Sequence, residues 1–347
     1  MTVDMSRVCF VGLDASAPCY YRVMLPAMEL GADWTGVIGF PPNIRWVTGG
    51  VKGESQLPNL VEDYDIVVIQ QPKGDSWEAL IKAVQATGAK VIFEIDDYVH
   101  GVPDVEHHDF AAAFDKRALM LYERCMRASD AIIASTEYIA KKYKKFNPNV
   151  FVCRNGLDLR RYALGKPERP TLNIGWAGST GHQKMMMPWL NHVAHIMDAR
   201  PEVNFVSIGA PFATALQPKF GEQRAIAIPW AAIEQYPAAM TMFDVALAPG
   251  GGNSWFKGKS DLRWLEASAL GIPVIGRPSV YREMEDGVTG FHATGPHELV
   301  EPLNRLLSEP ELRREIGAAA KAYVTEHRSI GAVAEDWREA LAAVAGL

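Results

Sequence analysis

The sequence predicts an α/β protein built from two tandem parallel sheets. Short apolar runs alternate with helical stretches, the alternation restarts at Leu172, and glycine-rich turns follow several of the apolar runs. Such alternation is typical of strands that pair in parallel and are covered by helices on both faces. With 347 residues, the chain is long enough for about two domains of ordinary size.

The first series of elements is expected to form a Rossmann-like domain over residues 1–165. Its predicted strands are 8–13, 36–40, 66–71, 91–95, 131–135 and 150–153, and its predicted helices are 20–30, 77–86, 110–128 and 138–146. The segment 164–170 carries two prolines among charged residues, which makes it the predicted linker.

The second series is expected to form a similar domain over residues 166–328. Its predicted strands are 172–178, 204–209, 225–228, 245–248 and 273–276, and its predicted helices are 185–198, 260–270 and 296–307. After Pro310 the pattern predicts helix to the end of the chain, apart from a break at about 329–331.

Composition disfavours several classes of protein. The formal net charge of −6 argues against a nonspecific nucleic-acid binder, although a local basic groove stays open. Cys9, Cys19, Cys125 and Cys153 show no C-x-x-C spacing, so neither a zinc site nor a disulfide framework is indicated. No signal peptide or membrane span is predicted, which leaves peripheral membrane contact open and favours a cytoplasmic protein.

The stretch 243–292 carries the strongest functional signal. A predicted strand at 245–248 breaks at Pro249 into three glycines, and a helix follows from about Ser260. Free backbone N–H groups and a helix N-terminus would then face a phosphate, with Lys259 beside it as a cation. Glu266, inside the helix, would reach a ribose hydroxyl. The alternatives for Glu266 are a surface ion pair with Arg263 or a carboxylate paired within the core.

The string KSDLRWLEASALGIPVIGRPSVYREMEDGVTGF resembles the carboxy-terminal half of family 4 glycosyltransferases. Glu266, Gly271, Pro273, Val274 and the D-G-x-T-G of 286–290 match that family's pattern, whereas its first glutamate falls on Gly258. Near the amino terminus, Tyr21 and Arg22 resemble the Y-R-x-x-x-P element of a subset of these enzymes, many of them prokaryotic or phage-encoded.

The resemblance implies GT-B architecture: two Rossmann-like domains facing a central cleft, with a last helix, 329–347, that crosses back to the first domain. It also implies transfer of a sugar from a nucleoside-diphosphate sugar, most simply a UDP- or GDP-sugar, to an acceptor hydroxyl with retention. No metal and no further cofactor are expected. The acceptor stays open among glycans, lipid-linked sugars, proteins and modified nucleic acid.

By the same resemblance, the donor contacts fall in two glycine-rich segments. The loop after the strand 172–178 combines glycines, hydroxyls and a lysine, which suits a diphosphate, although such a turn is also common as plain structure. Trp255 and Phe256 either border the sugar or base or, by default, pack under their loop. The predicted donor contacts are Gly178, Ser179, Thr180, His182, Lys184, Gly251, Gly252, Asn253, Lys259, Ser260 and Glu266.

The acceptor side is predicted in the first domain. The strand 91–95 ends at Asp96 and Asp97, and we interpret Asp97 as the better candidate for a base or hydroxyl anchor, with Asp96 and Lys259 as the other catalytic candidates. Glu94-x-Asp96 mimics the spacing of a metal-binding D-x-D motif. Turn or helix-capping carboxylates are the alternative. The predicted acceptor-side residues are Ser16, Tyr21, Arg22 and His100, with interfacial tyrosines and a solvated arginine as the alternative.

Two other functions fit the same features. A nucleotide-sugar epimerase or a sugar phosphorylase would keep the fold and change the chemistry. A catalytically degenerate GT-B binding or scaffold protein is suggested by Gly258 in place of the first glutamate. Binding of nucleoside diphosphates separates the scaffold from the enzymes.

Overall fold

A computed structural model describes residues 3–12, 16–35, 64–104 and 111–347. The predicted strand 36–40 lies outside these residues. The chain divides into two compact units. Unit 1 comprises Met1–Gly156, Asn253–Ser260 and Ile330–Leu347, and unit 2 comprises Leu157–Gly252 and Asp261–Ser329.

The helices of the described residues are numbered here in chain order. They are α1 (Ala17–Cys19), α2 (Leu25–Leu30), α3 (Asp75–Gln85), α4 (Lys116–Ala128), α5 (Glu137–Tyr143), α6 (Gln183–Ala199), α7 (Gln217–Phe220), α8 (Tyr236–Met240), α9 (Ser254–Gly258), α10 (Leu262–Ala269), α11 (Val300–Ser308), α12 (Pro310–His327) and α13 (Ile330–Ala345). A π-helical turn, Tyr20–Met24, joins α1 to α2. The 3-10 turns are Met5–Arg7, Val99–Asp104, Leu159–Tyr162, Thr180–His182 and Phe212–Ala215.

The described part of unit 1 contains a parallel sheet. Its strands are β1 (Val8–Val11), β2 (Asp33–Thr35), β3 (Ile66–Gln70), β4 (Lys90–Ile95), β5 (Ala131–Ala134) and β6 (Val150–Val152), in the order β2-β1-β3-β4-β5-β6. Every residue of β1, β3 and β5 is buried, as expected for apolar strands covered on both faces. The sequence did not predict β2, because this short edge strand carries a single large apolar residue, Trp34.

The described part of unit 2 contains a second parallel sheet. Its strands are β7 (Leu172–Gly178), β8 (Val203–Gly209), β9 (Ala225–Ile228), β10 (Val245–Ala248), β11 (Val274–Gly276) and β12 (Phe291–His292), in the order β12-β11-β10-β7-β8-β9. The chain runs from β7 outward to β9, then returns to place β10 on the other side of β7. The strand order therefore reverses between β7 and β10.

Helices cover both faces of the unit 1 sheet. On one face, α13 packs through Trp337, whose ring centroid lies 5.5 Å from that of Phe10 in β1. On the other face, Leu80 of α3 and Met126 of α4 join the buried side chains of β3 and β4. Two apolar clusters, one on each face, form the core of this unit.

The division between the units differs from the predicted one in two places. The chain passes from unit 1 to unit 2 at Gly156 rather than near 165, because the Leu157 N–H donates to the Arg328 carbonyl (2.9 Å) and Tyr162 is buried within unit 2. The segment Asn253–Ser260, expected in the second domain, belongs to unit 1.

That segment also contains a helix where a loop was expected. Asn253 caps α9, since its side-chain oxygen accepts a hydrogen bond from the Phe256 N–H at 3.1 Å. Trp255 and Phe256 are each only 2% exposed. The default interpretation, that these aromatic side chains pack beneath the loop, is therefore confirmed.

A buried ion pair lies in the core of unit 1. The Arg22 Nε donates to Glu94 Oε1 at 2.6 Å, and both side chains are almost completely buried. The Arg22 Nη1 also donates to the Cys153 carbonyl (2.7 Å) and to Asn155 Oδ1 (2.9 Å). Arg22 therefore joins the π-helical turn to β4 and to the end of β6.

Replacing Arg22 by methionine should destabilise unit 1 strongly. Glu94 would stay buried without its cation, and breaking a buried pair from one side costs about 3–5 kcal/mol. Arg22→Met combined with Glu94→Leu should lose less, because apolar side chains tolerate the core. Urea unfolding measures both variants. The exposed pair Arg7–Asp65 is the matched control, and Arg7→Met should cost about 1 kcal/mol or less. Equal losses for Arg22→Met and Arg7→Met would contradict this role.

Candidate functional site

The two predicted glycine-rich loops of unit 2 follow neighbouring strands. β7 ends at Gly178 and β10 at Ala248, and the two strands pair in parallel. Because parallel strands place their carboxyl ends at one edge of the sheet, the loops beginning at Gly178 and Pro249 start side by side. In open α/β sheets, ligands bind where the strand order reverses, which is here between β7 and β10.

The backbone at this edge requires glycine at two positions. Gly178 has φ +147°, and a Cβ there would lie 2.4 Å from Nη2 of Arg263. Gly209, at the end of β8, has φ +87°, and a Cβ there would lie 2.6 Å from the Gly178 carbonyl oxygen. The ends of β7 and β8 and the side chain of Arg263 therefore pack so closely that neither glycine has room for a Cβ.

Glu266 lies in α10 and is buried. Its side chain is 4% exposed, so the alternative of a surface ion pair with Arg263 is wrong. The Tyr236 hydroxyl donates to Glu266 Oε2 at 3.3 Å. Burial, followed by the charge of Glu266, raises the pKa of that hydroxyl well above its usual value, so it remains a donor. Arg263 instead stacks on Trp176, with its guanidinium carbon 5.3 Å from the ring centroid.

A small pocket adjoins these residues. Side chains from β7 and β10 form its walls together with Tyr236 and Arg263; the full lining is Trp176, Ala177, Tyr236, Met240, Phe243, Ala246, Leu247, Ala248, Arg263 and Val274. Most of this lining is apolar, and Tyr236 and Arg263 contribute a hydroxyl and a guanidinium.

The remaining predicted donor residues of unit 2 are distributed around the same edge. Ser179, Thr180 and Lys184 are exposed, and Gly252 is exposed beside the guanidinium of Arg277. His182 is buried, and its ring centroid lies 6.4 Å from that of Trp176. Gly251 is buried.

Three residues at this edge were not predicted from the sequence. Arg263 was considered only as a partner of Glu266. Arg277 directly follows β11 and donates to the Gly250 carbonyl at 3.2 Å, a placement that the strand and glycine pattern could have indicated. Trp230 follows β9, is 69% exposed, and lies against Gly209, where a Cβ would be 3.4 Å from its ring atoms. No sequence signal distinguished Trp230 from an ordinary surface aromatic.

In unit 1 the structure brings two of the predicted catalytic residues together. The Lys259 Nζ lies 2.8 Å from both carboxylate oxygens of Asp97, and each side chain is about a quarter exposed, at 24% and 26%. The same ammonium lies 4.2 Å from the centroid of the Trp255 ring. Lys259, Asn253 and Ser260 were predicted to belong to the nucleotide-binding domain, and the structure places all three in unit 1.

Asp96 is held differently from its neighbour. The Gln71 side-chain amide donates to Asp96 Oδ1, and the Ser135 hydroxyl donates to the Asp96 carbonyl at 3.0 Å. Burial, followed by the charge of Asp97, raises the pKa of the Asp96 carboxyl to about 6. Burial likewise raises the pKa of Glu94 to about 8, against the attraction of Arg22. Three carboxylates and two cations therefore share the end of β4.

The predicted acceptor-side residues differ in their exposure to solvent. Tyr21 and Arg22 are 3% and 1% exposed, so neither a surface contact with an acceptor nor a solvated arginine fits their positions. His100 has ring nitrogens 3.3 Å from the Tyr143 hydroxyl and 3.1 Å from Glu123 Oε1, and burial lowers its pKa. Ser16 is partly exposed just before α1.

Gly258, where the resembling family has a glutamate, lies against Tyr98. A Cβ at position 258 would be 2.5 Å from the Tyr98 Cβ. Gly101, in the adjoining 3-10 turn, is equally constrained, since its Cβ would lie 2.6 Å from the Trp255 backbone nitrogen. A glutamate at 258 therefore cannot be accommodated while the segment Asn253–Ser260 packs as it does.

The described ranges contain neither a candidate metal centre nor a candidate membrane span. There, no group of three or more His, Cys, Asp or Glu side chains is placed to hold a metal ion. All four cysteines are buried. No described helix is long and apolar enough to cross a membrane.

Comparison with known proteins supports the fold. Residues 189–339 match the family described as "Glycosyl transferase-like". No curated protein sequence matches the chain. Among solved structures, HepE of Anabaena in complex with UDP is 13% identical with a TM-score of 0.65, covering 97% of this chain and 100% of that one. A glycosyltransferase from Rickettsia africae is 13% identical with a TM-score of 0.65, covering 98% of each chain.

A structure of a different activity is also similar. A putative UDP-N-acetylglucosamine 2-epimerase from Listeria monocytogenes is 14% identical with a TM-score of 0.57, covering 95% of this chain and 94% of that one. At these identities the likeness concerns the fold. Two parallel α/β sheets and similarity along nearly the whole chain define this protein as one with the GT-B fold.

Gly258→Ala should test how tightly the segment Asn253–Ser260 is packed. The added Cβ must displace Tyr98, and overpacking of this kind costs about 1–3 kcal/mol. Gly165→Ala is the control, since a Cβ there meets no atom within 4 Å. Melting temperatures compare the variants, and a Gly258→Ala protein as stable as the control would show that this contact is loose.

Asp96→Asn should change the pH dependence of stability. A carboxyl whose pKa is raised from 3.8 to about 6 binds its proton more tightly when folded, so its contribution is complete below 3.8 and is lost as the pH rises towards 6. The asparagine variant lacks that loss, while its amide oxygen can still accept from Gln71. Its stability relative to the native protein should therefore increase between about pH 4 and 6. Urea unfolding across this range measures the difference, and a constant difference would contradict the raised pKa.

Proposed function

We propose that the protein is a glycosyltransferase that moves a sugar from a nucleoside-diphosphate sugar to an acceptor hydroxyl. The observation that carries the proposal is the unit 2 sheet edge, where two glycine loops start side by side at the strand-order reversal and Arg263 lies against Gly178. The family match over 189–339 and the fold shared with UDP-bound HepE support it.

In this proposal the donor's nucleotide binds at that edge. Glu266 accepts hydrogen bonds from the ribose hydroxyls, in place of the Tyr236 bond or beside it. Backbone N–H groups around Gly178, Ser179, Thr180, Gly251 and Gly252 receive the diphosphate, since glycine lets the backbone approach phosphate closely. Lys184, exposed in the first turn of α6, adds a positive charge.

Arg263 and Arg277 extend the proposed donor contacts. Both guanidiniums lie at the carboxyl ends of unit 2 strands, beside Gly178 and Gly252 respectively. Cations here would stabilise the diphosphate as its charge develops on leaving the sugar. UDP is the donor base we favour, because the similar structures hold UDP. We propose retention of configuration on the resemblance to family 4 alone.

The residues of unit 1 would serve the acceptor. Asp97, partly exposed at the end of β4, is the proposed base or hydroxyl anchor, and the raised pKa of Asp96 suits a carboxyl that holds a proton near neutrality. His100 and Ser16 are further candidates for contact with the acceptor. Asn253 caps α9 with its side chain, so we assign it a structural part.

An epimerase is the second candidate, favoured by the likeness to the Listeria structure. A panel of UDP- and GDP-sugars should be incubated with the protein and followed by mass spectrometry. Transfer requires release of nucleoside diphosphate that depends on an added acceptor, whereas epimerisation changes the sugar with the nucleotide still attached. A protein that binds and converts none of these donors would overturn both activities.

Glu266→Gln should weaken nucleotide binding with little change in folding. Glutamine keeps the shape and can still accept from Tyr236, but hydrogen bonds to an ionised acceptor are the stronger kind, so UDP should bind roughly tenfold more weakly. The variant should also discriminate less between UDP and 2′-deoxy-UDP. Isothermal titration measures both, with Glu315→Gln on the exposed face of α12 as the control. Equal affinity of the native protein for UDP and 2′-deoxy-UDP would refute the ribose role.

A further inference from the structure

Trp230 is the most exposed of the large apolar side chains that the structure describes, at 69%. It lies in unit 2, two residues after the end of β9. The other tryptophans in the described part of the chain are buried or partly buried. An indole in this position presents a large apolar surface to water, and covering that surface with a ligand is favourable.

The indole of Trp230 lies over the backbone of Gly209. A Cβ built on Gly209 would be 3.4 Å from both Cδ2 and Cε2 of the ring. These two atoms form the bond that the two rings of indole share, so an approach within the ring plane would meet an outer ring atom first. Gly209 therefore packs against one flat face of the indole. The exposure of the side chain then places the opposite face in solvent.

This flat surface belongs to the same sheet edge as the glycine loops. Gly209 and Gly178 are partners in the pairing of β8 with β7, and the Ala210 N–H donates to the Gly178 carbonyl at 2.8 Å. Neighbouring strands of a sheet lie about 4.8 Å apart. A nucleoside diphosphate is longer than that spacing, so a nucleotide whose phosphates lie at Gly178 can extend its base to Trp230.

The connection from β9 to α8 carries Tyr236 as well as Trp230. The Tyr236 hydroxyl donates to Glu266 Oε2 at 3.3 Å. One short segment of unit 2 therefore links the exposed indole to the carboxylate that is proposed to hold the ribose. The ribose is the part of a nucleotide that carries the base.

We propose that Trp230 is the stacking surface for the base of the donor nucleotide. This inference rests on the function proposed above. A planar base on the exposed face would remove apolar surface of both ring systems from water. Stacking uses the π-face that every base has, so it holds a base without choosing among bases. Trp230 therefore contributes affinity for UDP and GDP alike, and the choice between them depends on hydrogen-bonding groups.

A comparison of UDP with 5,6-dihydro-UDP tests the stacking. The saturated base keeps the hydrogen-bonding groups of uracil but is neither planar nor aromatic. Native protein should bind UDP roughly tenfold more tightly than dihydro-UDP, because base–aromatic stacking is lost. Trp230→Leu should bind UDP roughly tenfold more weakly than native protein and show little preference between the two ligands. Trp230→Phe should keep part of both effects. Isothermal titration measures these affinities.

Val288→Ala is the matched control, because Val288 is 44% exposed and precedes β12, at the opposite edge of the same parallel sheet. Its affinity for UDP should equal that of native protein. If native protein binds UDP and dihydro-UDP equally, or if Trp230→Leu keeps the native preference, the stacking is wrong while the proposed function stands. Unchanged UDP affinity in Trp230→Leu would also overturn it and assign the indole to another ligand. If native protein binds neither UDP nor GDP, the proposed function itself fails, and the stacking with it.

Discussion

Parallel pairing with one reversal of strand order is the constraint on which the candidate site of unit 2 depends. Parallel strands must all end at the same edge, and the reversal leaves a gap between the loops that follow β7 and β10. Close packing then limits which residues can occupy the carboxyl ends of these strands. At Gly178 and Gly209 any side chain would collide with Arg263 or with backbone, so only glycine fits at these two strand ends. Under the proposed function, these glycines would let the donor's phosphates approach the backbone closely.

The end of β4 in unit 1 is organised by charge. Three carboxylates, Glu94, Asp96 and Asp97, follow each other closely along the chain, and burial penalises the ionised forms of Glu94 and Asp96. Arg22 and Lys259 offset two of the charges, one from inside the core and one from the partly exposed side. Burial raises the pKa of Glu94 to about 8 and that of Asp96 to about 6, so both carboxyls hold a proton more tightly than usual. A proton held near neutrality is what an acid or base catalyst needs.

The pattern of apolar residues in the sequence predicted most of the strands and helices. It did not predict the contacts between residues that are distant in the sequence. β7, β9 and β10 have the predicted bounds, because short apolar runs between turn residues are distinctive. Glu266 was predicted as a site residue, yet its bond to Tyr236 joins residues thirty positions apart and has no local signature. Arg22 shows the same limit. It is buried because it contacts Glu94 and the chain just after β6, which are both distant from it in the sequence. The capped helix α9 was missed because glycines beside it favour a loop.

Gly258 is the residue that raised the question whether the protein has lost catalytic activity while keeping the GT-B fold. Sequence comparison alone presents Gly258 as a lost glutamate, which is the observation that suggested a scaffold. In the structure, however, the space of a side chain at 258 is occupied by Tyr98, and Gly101 makes a similarly close contact with Trp255, three residues before Gly258. Two glycines in complementary positions indicate a segment built for close packing, because decay at one position would not produce the second. The same close packing places Lys259 beside Asp97. A glutamate at 258 would disturb this packing, and with it the position of the lysine. Packing thus accounts for the glycine at 258, and the scaffold alternative is decided by whether the protein binds nucleoside diphosphates.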